Sequence, residues 1–105
     1  MNSSRHLQIY SVGRENIRIP CDIMVPAAEV SVSRPHLEIT VTVDGMYYVV
    51  DVGSANGTSV LRDGQWHRLT QDYVRKGERL RLGTYETTLQ SLLGRNGRTR
   101  NERSK

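Results

Sequence analysis

An antiparallel β-sandwich of short strands, an all-β fold, is what this sequence predicts, and three observations carry the prediction. Apolar and polar residues alternate over short stretches, glycine turns close most of those stretches, and apolar residues nowhere keep a helical spacing for more than a turn. Short strands at regular intervals with polar turns between them bury their alternate side chains by stacking as two sheets.

Taken in order, His6 to Val12 alternates, with Leu7 and Ile9 on one face and Gln8 and Tyr10 on the other, and it ends at Gly13. Ile17 to Pro20 is too short and interrupted to assign. Asp22 to Val25 reads as a short strand closed by Pro26, and Ala27 to Val32 as a surface loop leading to Ser33. Pro35 biases Arg34 toward an extended backbone, splaying the side chains of that loop. Leu37, Ile39, Val41 and Val43 then recur at every second residue, the clearest strand in the chain. Asp44-Gly45 predicts a two-residue hairpin turn into Met46–Val52, whose apolar run, interrupted only at Asp51, predicts cover on both faces. Ser59–Arg62 and Gln65–Leu69 flank a second turn of that type, Asp63-Gly64. After a turn at Lys76-Gly77, Leu80 and Leu82 alternate with Arg79 and Arg81, Gly83 breaks the run, and Tyr85–Leu93 makes a closing strand.

A chain of 105 residues suffices for one domain with a core that needs no staples. Its single Cys21 allows no internal disulfide, and the polar start from Met1 to His6 has no apolar leader core, which together predict a reducing, cytoplasmic setting. No apolar run is long enough to span a bilayer. The net charge of +4 sits entirely in the tail: Met1–Leu93 carries ten basic and ten acidic residues, Gly94–Lys105 five basic residues against Glu102. The expected layout is therefore a disordered start at 1–5, a domain at 6–93 and a disordered basic tail at 94–105. Clustered arginines in such a tail could touch nucleic acid, but no aromatic residues are interleaved to stack on bases, so a solvated tail is the simpler reading.

The informative stretch is Asp51–Thr58, Asp-Val-Gly-Ser-Ala-Asn-Gly-Thr, a loop leaving a strand with an Asn-Gly pair that can turn tightly while the Asn side chain stays free. Two other loops precede it: Gly13-Arg14, and Ser33-Arg34-Pro35-His36 about twenty residues on. This order of Gly-Arg, Ser-Xaa-Xaa-His and Asn-Gly-Thr, on strand-rich sequence from about Leu7 to Leu92, resembles the forkhead-associated (FHA) domain, a reader of phosphothreonine peptides.

The resemblance implies an SMAD/FHA-type sandwich and a set of roles. Arg14 and Ser33 fall on the principal phosphate-contacting positions, Arg34 on a further phosphate or peptide contact, and Asn56 on the amide that holds the peptide backbone. Gly13, Gly57 and Thr58 match loop-shaping positions, and His36 a buried histidine that braces the phosphate loop. The chemistry suits a phosphate of charge about −1.5 to −2, which needs fixed donors such as a guanidinium fork. Two departures stand out. Ala55 replaces the Thr or Ser common before the Asn, removing a hydroxyl that Ser54 or Arg34 would have to replace. Only about a dozen residues precede Arg14, where the family has another strand, so either that strand is lost or Met1–Arg5 is its remnant; an open sheet edge, and a homodimer through it, would follow.

The expected function is thus a phosphothreonine-binding adaptor in signalling, with a phosphorylated protein as partner and no cofactor. The alternative is a phosphate-independent interaction scaffold on the same fold. Ser33, His36 and Asp51 are triad residue types, but nothing around Ser33 resembles a nucleophile elbow, and the three His and one Cys lack metal-ligand spacing. Preference for the residue after the phosphothreonine would fall to Arg62–Asp72, where Trp66 and His67 are large; Trp66 is expected in the core.

Overall fold

The computed structural model describes residues 8–18, 20–42 and 45–97. The expected remnant at Met1–Arg5, His6 and Leu7 of the first strand, Val43 and Asp44 of the first hairpin, and residues 98–105 of the tail lie outside them.

Two sheets stack around one core. The first runs β2 (Ile23–Val25), β1 (Gln8–Arg14), β3 (Leu37–Val41), β4 (Tyr47–Asp51), β7 (Gln71–Val74); the second runs β6 (Gln65–Arg68), β5 (Thr58–Arg62), β8 (Arg79–Leu82), β9 (Tyr85–Thr88). All pairs are antiparallel except β1 with β2, because the Glu15–Asp22 excursion returns the chain to run alongside β1 in the same direction. Period-two alternation then sends Val12, Leu37, Ile39 and Val49 from the first sheet against Val60, Leu80 and Leu82 from the second, all essentially unexposed. Each such side chain contributes about 1.5–3 kcal/mol by leaving water.

In β1 the inward face is Tyr10 and Val12, opposite Ile39 and Leu37, while Ile9 points out at 54% exposure; register is fixed by β3, and in a strand a shift of one residue exchanges the faces. Three expectations change, at β4, at Trp66 and in the closing strand. β4 is covered on one face only: Val49 is buried, whereas Tyr48 lies on the outer side, where its ring meets Tyr73 edge-on at 5.0 Å. Trp66 is half-buried on the outer face of β6, with the Arg81 guanidinium 4.0 Å above its ring, and so is not core.

The closing strand ends at Thr88, and the chain continues as a helix, α1 (Leu89–Gly97). Leu89, Leu92 and Leu93 fall at helical spacing, the first two fully buried, and the Thr88 hydroxyl caps the start by accepting the Ser91 N–H at 3.1 Å. Residues 94–97 of the expected tail therefore belong to a helix that packs on β2, where Arg95 Nε donates to the Met24 carbonyl. The Asp63-Gly64 turn is as expected: φ is 55° and 74°, the paired positive values of a hairpin turn that matches strand twist.

Candidate functional site

One end of the sandwich gathers the three loops singled out in the sequence. β1 delivers Arg14 as its last residue, and the Arg14 N–H donates to the Ser33 carbonyl at 3.0 Å while its Nε donates to the Val32 carbonyl at 3.0 Å. Backbone and guanidinium are thus both anchored to the strand of chain that carries Ser33. Gly13 makes this approach possible: a Cβ there would lie 3.0 Å from Arg34 Cα, 3.1 Å from Pro35 Cα and 2.7 Å from Cys21 Sγ. The Arg34–Pro35 peptide is cis.

Ser33 in turn joins the third loop. Its Oγ accepts the Ala55 N–H at 2.9 Å, which leaves the hydroxyl proton available to an acceptor outside. Its own N–H donates to His36 Nδ1 at 3.0 Å. Because Nδ1 accepts, the proton of neutral His36 sits on Nε2, which donates to the Gly57 carbonyl at 3.0 Å. His36 is fully buried and ties the Ser33 loop to the Asn56-Gly57 loop through backbone groups. The ring faces the Ser33 amide and not its hydroxyl, so the three triad residue types form no nucleophile and base pair.

Asp51 organises the third loop, a role the sequence reading missed. Its Oδ1 accepts the N–H of Gly53 (2.9 Å) and of Ser54 (2.8 Å); its Oδ2 accepts the hydroxyls of Ser54 (2.6 Å) and of buried Thr58 (2.7 Å). Burial raises the carboxyl pKa, but the hydrogen bonds from Ser54 and Thr58 and the nearby His36 together hold it below the usual carboxylate range. The signal in the sequence was Asp followed two and three residues on by Gly and Ser, an Asx-turn pattern. Ser54 also accepts the Gly57 N–H at 2.9 Å, so its hydroxyl is directed inward and does not replace the one absent at Ala55.

Asn56 is exposed; its Nδ2 donates to the Ser31 carbonyl at 3.0 Å, and its side-chain oxygen has no acceptor role filled among the described residues. Ser31, not foreseen from the sequence, is itself held by the turn between β8 and β9, its Oγ accepting the Thr84 N–H at 2.9 Å. Arg34 is half-buried, and its Nε is shielded from solvent without a hydrogen-bond partner. The structure therefore brings Arg14, Ser33, Arg34 and Asn56 to one rim, with Gly13, His36, Gly57 and Thr58 beneath them. Arg14 and Ser33 keep donors beyond their bonds within the protein, while the carboxylate of Asp51 is satisfied internally. Among the described residues no cluster of His, Cys, Asp and Glu could hold a metal, and no helix is long and apolar enough to cross a membrane.

Burial lowers the His36 pKa, against the opposing pull of the Gly57 carbonyl and the Asp51 charge. On acidification the unfolded chain thus takes up this proton before the folded one does. The stability His36 lends is full above its ordinary pKa of 6.5 and is lost as the pH falls from there toward the lowered folded value. The unfolding free energy, and with it the urea midpoint, is expected to drop between about pH 7.5 and about pH 5.5, the free energy by at most about 1.4 kcal/mol per pH unit. His36→Asn should flatten that limb; a wild-type midpoint constant across it would show that the ring is not held neutral.

Comparison with known proteins bears on this arrangement. The model of the FHA domain family matches residues 10–83. Three solved structures are similar at 25% identity. The FHA domain of FhaA, complexed with the intracellular domain of Rv3910, has a TM-score of 0.59 over 80% of this chain and 81% of that one. The FHA domain of the CT664 protein from Chlamydia trachomatis gives 0.57 over 75% and 72%. An engineered FHA with a Myc-pTBD peptide gives 0.55 over 79% and 61%. No curated protein sequence matches.

Proposed function

The chain belongs to the forkhead-associated domain family, and on that premise we propose that it is a phosphopeptide-reading interaction module, not an enzyme, which binds phosphothreonine in a protein partner. The observation that carries the reading is the bond pattern joining Arg14, Ser33 and Ala55, which places a guanidinium, a hydroxyl proton and a loop amide beside one another. In this role Arg14 and Ser33 grip the phosphate, the terminal N–H groups of half-buried Arg34 supply further donors, and Asn56 accepts and donates to the peptide backbone. Complexes of similar FHA domains with an intracellular domain and with a peptide support a protein partner.

The deciding experiment titrates phosphothreonine, phosphoserine and unmodified threonine peptides of one sequence against the protein. Binding is expected for phosphothreonine and little for the others. Equal binding of phosphorylated and plain peptides would favour the second reading, a phosphate-independent scaffold. That reading draws on β9: it pairs with β8 alone among the described residues, and its Tyr85, Glu86, Thr87 and Thr88 line a cleft of about 520 Å³ together with Arg79, Ser91 and Arg95.

Ala55→Thr tests the departure from the family pattern. Ala55 is exposed, with its N–H already on Ser33 Oγ, so a hydroxyl there would face the same anion. One added charge-assisted hydrogen bond of about 1.5–3 kcal/mol should tighten phosphothreonine binding roughly tenfold or more. No gain in a calorimetric titration would mean that Arg34 already fills that place.

A further inference from the structure

We propose that Arg68 makes the site selective for an acidic residue in the bound phosphopeptide, on the side of Asn56 away from the phosphate; this deepens the phosphopeptide reading and rests on it. Four arginines lie on the strands of the second sheet, and three have carboxylate partners. Arg62 bonds Asp72 at 3.0 Å and Glu78 at 2.8 Å, while Arg79 and Arg81 lie 3.8 Å and 3.4 Å from Glu86. Arg68 is exposed, and its guanidinium has no hydrogen bond or ion pair among the described residues.

Its position gives that unpaired charge a direction. A Cβ at Gly57 would fall 3.1 Å from Arg68 Cζ and 3.2 Å from both Nε and Nη2, so the guanidinium lies against the recognition loop where Gly57, at φ +82°, has no side chain. The neighbouring Asn56 is the residue whose amide faces outward, and Ala55 beyond it contacts Ser33. From Arg14 and Ser33 the contacts therefore lead through Ala55 and exposed Asn56 to Arg68, which lies against buried Gly57. A peptide with its phosphate at the first pair and its backbone at Asn56 passes Arg68 a few residues on. The backbone of this region is fixed by the Leu69 N–H on the Thr58 carbonyl at 2.9 Å, which keeps Arg68 beside the loop. A planar fork with free donors is suited to a carboxylate.

The test uses one phosphothreonine sequence that is otherwise neutral, into which a single Asp is moved position by position on either side. The wild type should bind about fivefold more tightly with Asp at one position, a size typical of a partly exposed ion pair. Arg68→Gln should erase that preference and still bind the Asp-free phosphopeptide like the wild type, and Arg68→Glu should prefer Lys at the same position. A preference that survives in Arg68→Gln, or none in a wild type that binds the phosphopeptide, overturns the assignment and leaves the phosphate reading standing. Failure of the wild type to bind any phosphothreonine peptide overturns both.

Discussion

Replacing Arg14 by alanine is expected to weaken binding of a phosphothreonine peptide about 100-fold or more, while the unfolding midpoint stays close to that of the wild type. The two effects separate because the side chain has one anchor and several free donors. Its Nε holds the Val32 carbonyl, a single partly buried bond whose loss costs stability about 1 kcal/mol. The remaining N–H groups of the fork would meet the phosphate, and charge-assisted bonds to such a dianion contribute about 1.5–3 kcal/mol each. Two lost bonds amount to two or more orders of magnitude in affinity, at about 1.4 kcal/mol per decade. Arg14→Lys keeps the charge and loses the fork, so it should fall between the two. Affinity unchanged in Arg14→Ala, measured on folded protein, would place the phosphate elsewhere and remove the main support of the proposed function.

How much of this was legible depended on whether the determinant is local. β3 and the β5–β6 hairpin follow directly from period-two apolar residues and from Asp-Gly turns, both properties of neighbouring residues. β7 was not foreseen because Gln71-Asp72-Tyr73-Val74 turns one apolar side chain, Val74, into the core. Its strand conformation comes from pairing with β4 and from Arg62, which donates to the Tyr73 carbonyl at 2.9 Å. The helix was hidden because Thr87 and Thr88 extend the β-like pattern, while Leu89, Leu92 and Leu93 span little more than one turn.

The same distinction holds at the rim. Arg14, Ser33, His36 and Asn56 stand in short motifs whose order along the chain carried the resemblance. The brace from Ser31 to Thr84 and the unpaired fork of Arg68 against Gly57 are set by contacts between distant segments, and no short stretch of sequence encodes them.

Asp51→Ala is expected to cost about 3–4 kcal/mol of stability, a large share of the roughly 5–15 kcal/mol that holds a domain folded. Four donors lose their acceptor at once: the amides of Gly53 and Ser54, and the hydroxyls of Ser54 and Thr58. Thr58 is fully buried, so its hydroxyl has no water to turn to, whereas exposed Gly53 loses less. Asp51→Asn should cost less, about 1–2 kcal/mol, because one amide oxygen still accepts the two backbone N–H groups while the NH₂ confronts the hydroxyls. Acid separates the carboxylate from its shape. The folded pKa of Asp51 lies below its ordinary 3.8, so its contribution is complete above that value and is lost as the pH falls through the lowered one. Wild type should therefore show a steep acid limb that is shallower in Asp51→Asn. In that variant phosphopeptide affinity should also fall several-fold with Arg14 untouched, since Ala55 and Asn56 hang on the loop that Asp51 closes. Stability of Asp51→Ala within about 1 kcal/mol of wild type would mean that the loop keeps its shape by other means.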